Sequence, residues 1–157
     1  MHAKAIRHIA KKPSVKAPAL APVPTLDEAT ADKLVAAARA VREKAHAPYS
    51  QFKVGAAVLG AKGGIYTGCN VENSSYGLSV CAERNAVAAA VAGGEKRIEA
   101  VVVMTQSAEP SPPCGTCRQV LSEFGPDVLI VLVNQEGHEE RMRLSDIFPR
   151  PFSRDYL

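Results

Sequence analysis

The sequence predicts an α/β fold, a single sheet with helices on both of its faces. Three observations carry this expectation. Helix-like and strand-like stretches alternate along the chain. Two strand stretches, IEAVVVMT (98–105) and VLIVLVN (128–134), are almost continuously apolar, as central strands covered on both sides must be. A length of 157 residues suits one domain with a core large enough to fold alone.

The elements follow in chain order. Thr25, with Glu28 three residues later, is expected to cap a first helix over LDEATADKLVAAARAVREKA, which stops before Pro48. FKVGAAVLG (52–60) reads as a strand, AKGG as a turn and IYTGCN (65–70) as the hairpin partner. CAERNAVAAAVAGG (81–94) is Ala-rich, helical, and ends at glycines. After the strand at 98–105, CGTCRQVLSEFG (114–125) predicts a short helix ending at Gly125. The strand at 128–134 is followed by a turn at QEG and an edge strand, EERMRL (139–144). A last helix ends near DIFPRP. No internal repeat is present.

Charge divides the chain at about residue 26. Residues 1–26 hold Lys4, Arg7, Lys11, Lys12, Lys16 and no acidic residue, whereas the remainder has 14 basic against 16 acidic side chains. The formal charge of +3 therefore comes from the N-terminal stretch, and a basic groove tracking a nucleic-acid backbone is not expected on the body. That stretch, rich in Ala, Lys and Pro, reads as a disordered solvated arm; a transit segment or nucleic-acid tether is the other reading. No apolar run approaches the ~18–20 residues of a membrane span. Prolines interrupt every candidate secretory h-region, so the four cysteines are expected in a reducing, cytoplasmic setting, where C-x-x-C points to metal or redox chemistry.

Cys81 would open one helix, and Cys114 with Cys117 would open another. Three thiolates would then meet where two helix N-termini converge, and the positive end of a helix dipole favours thiolate. Three protein ligands and one open position define a catalytic Zn²⁺ site. Zn²⁺ with three thiolates carries net negative charge, and Arg84, three residues after Cys81, is placed to donate hydrogen bonds to the sulfurs and offset it. Glu83, two residues beyond a ligand, can reach a water at the metal without ligating it, and can carry a proton to a substrate nitrogen. Two other readings use the same cysteines. A structural site would recruit Cys69 as fourth ligand, although its eleven-residue gap to Cys81 is unlike zinc ribbons and fingers. A redox C-x-x-C would fit Cys114 and Cys117 but leaves C-x-E unexplained. Cys69 otherwise reads as a buried structural cysteine, and His46 and His138 as surface residues.

C-x-E followed by P-C-x-x-C is the zinc nucleobase-deaminase pattern with Cys in place of His. AHAPYSQFKVGAAVL (45–59), GCNVENSSYG (68–77), VCAERNA (80–86) and SPPCGTCRQVLSEFG (111–125) resemble the small tetrameric cytidine deaminases of nucleoside salvage. The likeness runs over about residues 30–157, including the closing IFPRPFSRDYL. It implies a three-layer α/β/α sandwich around a five-stranded mixed sheet, with residues 27–157 as the catalytic domain. It implies hydrolytic deamination of cytidine and deoxycytidine to uridine, deoxyuridine and ammonia, water activated by zinc attacking C4. One Zn²⁺ per chain would be held by Cys81, Cys114 and Cys117, with Glu83 as proton shuttle.

The same resemblance implies that Asn70 and Glu72 hold the sugar hydroxyls, that Phe52 lines the base pocket, and that the Ala82 backbone meets the pyrimidine 2-oxo group. An amide and a carboxylate together suit a hydroxyl that both donates and accepts. Tyr76, like Tyr49, belongs to the pocket, to a subunit contact or to the core. Phe152 would stack on the base in a neighbouring subunit of a homotetramer; packing against the final helix is the plainer reading. A blasticidin-type deaminase shares the zinc residues, but Glu72 and Phe152 favour cytidine. A polynucleotide-editing deaminase fits poorly with a short, acidic body, and a zinc-stabilised binding module without catalysis leaves Glu83 unexplained.

Overall fold

The computed structural model describes residues 22–125 and 127–157. The basic arm expected over residues 1–26 therefore falls, up to residue 21, outside the described residues. Helix α1 spans Glu28–Arg42, and strands β1 (Val54–Gly60) and β2 (Ile65–Cys69) form a hairpin. Helix α2 (Ala82–Ala92), strand β3 (Ile98–Thr105), helix α3 (Gly115–Phe124) and strands β4 (Leu129–Val133) and β5 (Glu139–Arg143) follow, and a one-turn helix α4 (Leu144–Ile147) leads to the C-terminal segment. The expected elements are all present, with ends moved by one or two residues at most strand and helix boundaries.

The cap of α1 differs from expectation. Asp27, not Thr25, is the N-cap, and its carboxylate accepts from the Thr30 N–H at 2.9 Å. Leu26, just before the helix, packs against the apolar cluster around Leu34. An apolar residue at that position staples the entry of the chain and leaves Asp27 to cap.

The five strands form one mixed sheet in the order β2-β1-β3-β4-β5. β1 is antiparallel to β2 and to β3, β3 is parallel to β4, and β5 returns antiparallel along β4. Successive side chains of a strand point to opposite faces, so the apolar runs feed two cores. Ala57, Leu59, Val102, Met104, Val131 and Val133 pack beneath Leu34 and Ala38 of α1. Ala56, Val58, Val101, Val103, Ile130 and Leu132 pack against Ala82, Ala86, Val87 and Ala90 of α2 and Leu121 of α3. The result is the expected three-layer sandwich, with α1 on one face and α2 and α3 on the other.

Two glycines set how closely the helices sit. A Cβ at Gly55 would lie 2.1 Å from the Ala38 carbonyl oxygen, and one at Gly68 would lie 2.3 Å from the Ala86 nitrogen. Neither gap admits a methyl group, so α1 and α2 approach the β1–β2 hairpin from opposite sides at backbone contact. The close seat of α2 on β2 fixes where its N-terminus, and hence Cys81 and Glu83, emerges.

Candidate active site

Cys81 is the N-cap of α2, and Cys114 is the N-cap of α3, with Cys117 in the first turn. Neither capping cysteine makes a side-chain capping bond, so both thiols are free to turn toward each other. The Sγ atoms of Cys81 and Cys114 stand 3.9 Å apart and those of Cys114 and Cys117 3.5 Å. All three lie within 4.8 Å of one another. Sulfurs held at ~2.3 Å from one zinc along tetrahedral directions stand about 3.8 Å apart, so the donor set fits the metal. Cys69 does not join the group, which removes the four-cysteine site; its carbonyl instead accepts from the Asn85 amide at 2.8 Å.

The chemistry of the thiols fits a cation as well. Hydrogen bonding from Cys117, and then from Arg84, holds the Cys81 thiol down to about 5. Hydrogen bonding to Cys81 and burial push the Cys117 thiol up. The Arg84 guanidinium is anchored on the Ser79 carbonyl at 2.9 Å and stands 3.9 Å from the Cys81 sulfur. Its buried Nε has no partner among the described residues, so the group keeps a donor beside the thiols. This is where the sequence placed Arg84.

Glu83 sits in the first turn of α2 and is 4% exposed. Burial pushes its carboxyl above the usual carboxylate range, and the negative charge of Cys81 adds to this. A cavity of about 300 Å³ opens over it, lined by Cys81, Glu83 and Cys114 at one end and by Phe52, Asn70 and Glu72 at the other. That volume is at the small end of small-molecule sites. Six residues from four separate stretches of sequence thus converge on one cavity. Ala82 is fully buried, and its N–H belongs to the first turn of α2, where helix geometry leaves amides without partners inside the helix.

The far end of the cavity is built from hydrogen bonds between β1 and the loop after β2. The Asn70 amide donates to the Phe52 carbonyl and accepts from the Val54 N–H, both at 2.8 Å. One amide hydrogen and one lone pair remain for a ligand. Glu72 accepts from the Tyr49 N–H at 2.9 Å, the Ser50 N–H at 3.2 Å and the Ser50 hydroxyl, and the last of these does most to hold its carboxyl below the usual range. Between Ser50 and Phe52, Gln51 takes φ 59°, a left-handed conformation that costs a residue with a side chain about 1 kcal/mol or more. The turn therefore holds Ser50 and Phe52 in place by several bonds from elsewhere in the fold.

Sequence reasoning missed part of the wall. Ser50, Val103, Thr105, Ser111 and Pro112 also line the cavity. Ser50 and Ser111 lie inside stretches already singled out, beside Phe52 and Cys114, but the direction of Ser50 depends on Glu72, 22 residues away, and that of Ser111 on Ser107 and Glu109 in the preceding loop. Core packing is not the role of the tyrosines. Tyr49 and Tyr76 are 50% and 75% exposed and meet edge to face with centroids 5.8 Å apart. With Glu72 and Ser50 they border an adjoining recess of about 360 Å³. His46 and His138 are exposed, as expected.

Phe152, an expected contact, does not line the cavity of its own chain. Its ring is 61% exposed and stacks on Tyr156, and its backbone is held by Gln119 of α3. The ring thus packs locally on Tyr156 of the C-terminal segment and is otherwise exposed.

Residues 28–133 match the family described as the cytidine and deoxycytidylate deaminase zinc-binding region. A cytidine deaminase of Sporosarcina psychrophila is 42% identical over 127 residues, covering 80% of this chain and 93% of that relative. The solved structure of cytidine deaminase from Burkholderia pseudomallei is 46% identical and superposes with a TM-score of 0.74, over 77% of this chain and 98% of that one. Cytidine deaminase from Mycobacterium tuberculosis superposes with a TM-score of 0.70 at 38% identity, over 82% of this chain and 99% of that one. The matched span carries Cys81, Glu83, Cys114 and Cys117 together, and the chain belongs to the zinc-dependent cytidine deaminase family.

Proposed function

We propose that this chain hydrolyses cytidine and deoxycytidine to uridine and deoxyuridine, releasing ammonia. The observation that carries this is the placement of Glu83, a buried carboxylate beside three metal-binding thiols, facing a cavity whose opposite end offers Asn70 and Glu72. When bound, zinc supplies the Lewis acidity that makes water a nucleophile near neutral pH. Cys81, Cys114 and Cys117 would hold it beside the cavity. Glu83 takes one proton from the water and delivers it to the pyrimidine N3, then takes the second from the hydroxyl now on C4 and delivers it to the departing amino group. A C4–O bond forms, the C4–N bond breaks, and ammonia leaves with the proton. Arg84 balances the excess negative charge of the thiolates.

The other residues bind and orient. The free hydrogen and lone pair of Asn70, with the carboxylate of Glu72, suit the ribose 3′-hydroxyl, which both donates and accepts. The Ala82 N–H, in the positive first turn of α2, suits the 2-oxo group. Phe52 covers one face of the base. Phe152 closes the site of a neighbouring subunit in a homotetramer; its exposed ring and its absence from its own cavity support this. The exposed pair Tyr49 and Tyr76 borders the recess that shares Ser50 and Glu72 with the cavity. Residues 27–157 form the catalytic domain, and residues 1–26 a basic arm without a catalytic part. No helix of the described residues is long and apolar enough to cross a membrane. We place the enzyme in the cytoplasm, with nucleosides and not nucleic acid as its substrates.

The test is the loss of ultraviolet absorbance when zinc-loaded protein meets cytidine, deoxycytidine, dCMP and blasticidin S. Turnover of the first two, with one ammonia per nucleoside, is expected. Turnover of blasticidin S alone, or of none, overturns the reading.

A further inference from the structure

The helix that carries two of the zinc-binding cysteines also holds the segment that carries Phe152. We infer that Gln119 is a positioning residue for catalysis: it sets the backbone from which Phe152 reaches a neighbouring site. This rests on the proposed role of Phe152 in a neighbour's pocket.

Gln119 follows Cys117 by two residues in α3. Its Nε2 donates to the Phe152 carbonyl at 2.8 Å and its Oε1 accepts from the Phe152 N–H at 3.1 Å. One side-chain amide thus pairs with both polar groups of one residue. Among the described residues these two are the hydrogen bonds that tie positions 149–157 to the rest of the chain; the remainder in that stretch are local, from Tyr156 to Ser153, Leu157 to Arg154 and Ser153 to Asp155. Pro149 and Pro151 carry no N–H and fix φ on either side of Arg150. The approach to Phe152 is therefore stiff but weakly attached, and the Gln119 amide is what locates it. Just before, Arg118 donates to the Pro113 carbonyl at 2.7 Å and to the Ile147 carbonyl at 2.9 Å, so the loop ahead of Cys114 and the end of α4 share one support. The ring itself touches neither glutamine nor metal ligands as a hydrogen-bonding partner; it stacks on Tyr156 and remains mostly exposed. Such a ring is useful only if its backbone is held, because ordering a free segment at the moment of binding costs free energy.

The experiment is a double-mutant cycle on the zinc-loaded full chain. Gln119→Ala should raise KM for cytidine about 3- to 30-fold with kcat within about 2-fold, because two hydrogen bonds are lost and the proton machinery is not. In a Phe152→Ala background the same change should have less than about a 2-fold effect, since there is no ring left to place. Gln119→Glu, which keeps an acceptor for the N–H but sets a second acceptor against the carbonyl, should repeat the KM defect. Hydrogen exchange should quicken at residues 150–157 in both variants while α3 stays protected. Additive effects of Gln119→Ala and Phe152→Ala, zinc loss, or loss of α3 protection in both variants would make the amide a fold element and overturn the inference. A drop for Phe152→Ala with none for Gln119→Ala overturns this inference alone; no drop for Phe152→Ala overturns the role of the ring itself.

Discussion

The two ends of the cavity are built in different ways. At the thiol end, two helix N-termini deliver Cys81, Glu83, Cys114 and Cys117 on rigid elements packed into the core, and Glu83 is 4% exposed. Past the other end, Tyr49 and Tyr76 border the adjoining recess and Phe152 lies outside the cavity on the C-terminal segment, all three 50–75% exposed. Bond making needs fixed geometry, and one chain supplies all of it. Enclosure of the base needs apolar surface, and here that surface is left open to solvent. Clustered exposed aromatics on a folded domain mark a contact with something else. The groups that carry the chemistry thus lie within one chain, whereas the proposed role of Phe152 would assign the closing of the site to a second copy.

The largest effect belongs to the thiol end. Glu83→Gln keeps the size of the side chain but not its ability to carry a proton. Zinc content and fold should stay unchanged while kcat falls roughly 10²–10⁴-fold or more. Steady-state turnover of cytidine with metal analysis checks this, and near-native kcat would remove Glu83 from the chemistry.

The cysteines sharpen the same end. Cys114→Ser should release the metal, since it removes one of three ligands within 4.8 Å of one another. Cys69→Ser should keep about one zinc per chain and most activity, because Cys69 stands outside that group. Metal analysis after exhaustive dialysis distinguishes them, and equal loss in both would bring Cys69 back as a ligand.

How much of this was legible in the sequence follows the same division. Helix starts at Cys81 and Cys114, and the strands at 98–105 and 128–134, are local signals: a cysteine ahead of a helical stretch, or an unbroken apolar run. The cap of α1 was expected at Thr25, and Asp27 takes it because Leu26 packs onto the core. The aromatic end was not legible in this way. The bond from Ser50 to Glu72 spans 22 residues and that from Gln119 to Phe152 spans 33, and no periodicity links such positions. The exposure of Tyr49 and Tyr76 depends on how a loop folds over a sheet edge, where composition says only that a tyrosine is amphipathic.

Phe152→Ala tests whether enclosure comes from a partner. Stacking of a base on an aromatic ring is worth ~1–3 kcal/mol, so kcat/KM should fall roughly 5- to 150-fold. Mixed assemblies decide between a ring acting on its own chain and one acting on a neighbour. Glu83→Gln subunits offer a ring but no shuttle, and Phe152→Ala subunits offer the reverse. Hybrids isolated by two tags should exceed the summed activity of the parents; hybrids that never do so would return Phe152 to its own chain.

The smallest effect is expected from the basic N-terminal arm. The residues that line the cavity begin at Ser50, and the metal-binding thiols at Cys81. Residues 1–21 have the basic, proline-interrupted composition of a segment that cannot bury enough apolar surface to join a core. The cut matters, because Leu26 packs on the α1 face of the sheet and Asp27 caps that helix. Removing residues 1–21 keeps both. The shortened chain should turn over cytidine with kcat/KM within about 2-fold of the full one and keep its melting temperature, as that composition implies. Removing residues 1–27 instead takes away the staple and the cap, which should cost about 1–3 kcal/mol of stability. A large fall in kcat/KM for the shorter deletion, with an unchanged melting temperature, would show that the arm reaches the open aromatic end and helps to close it.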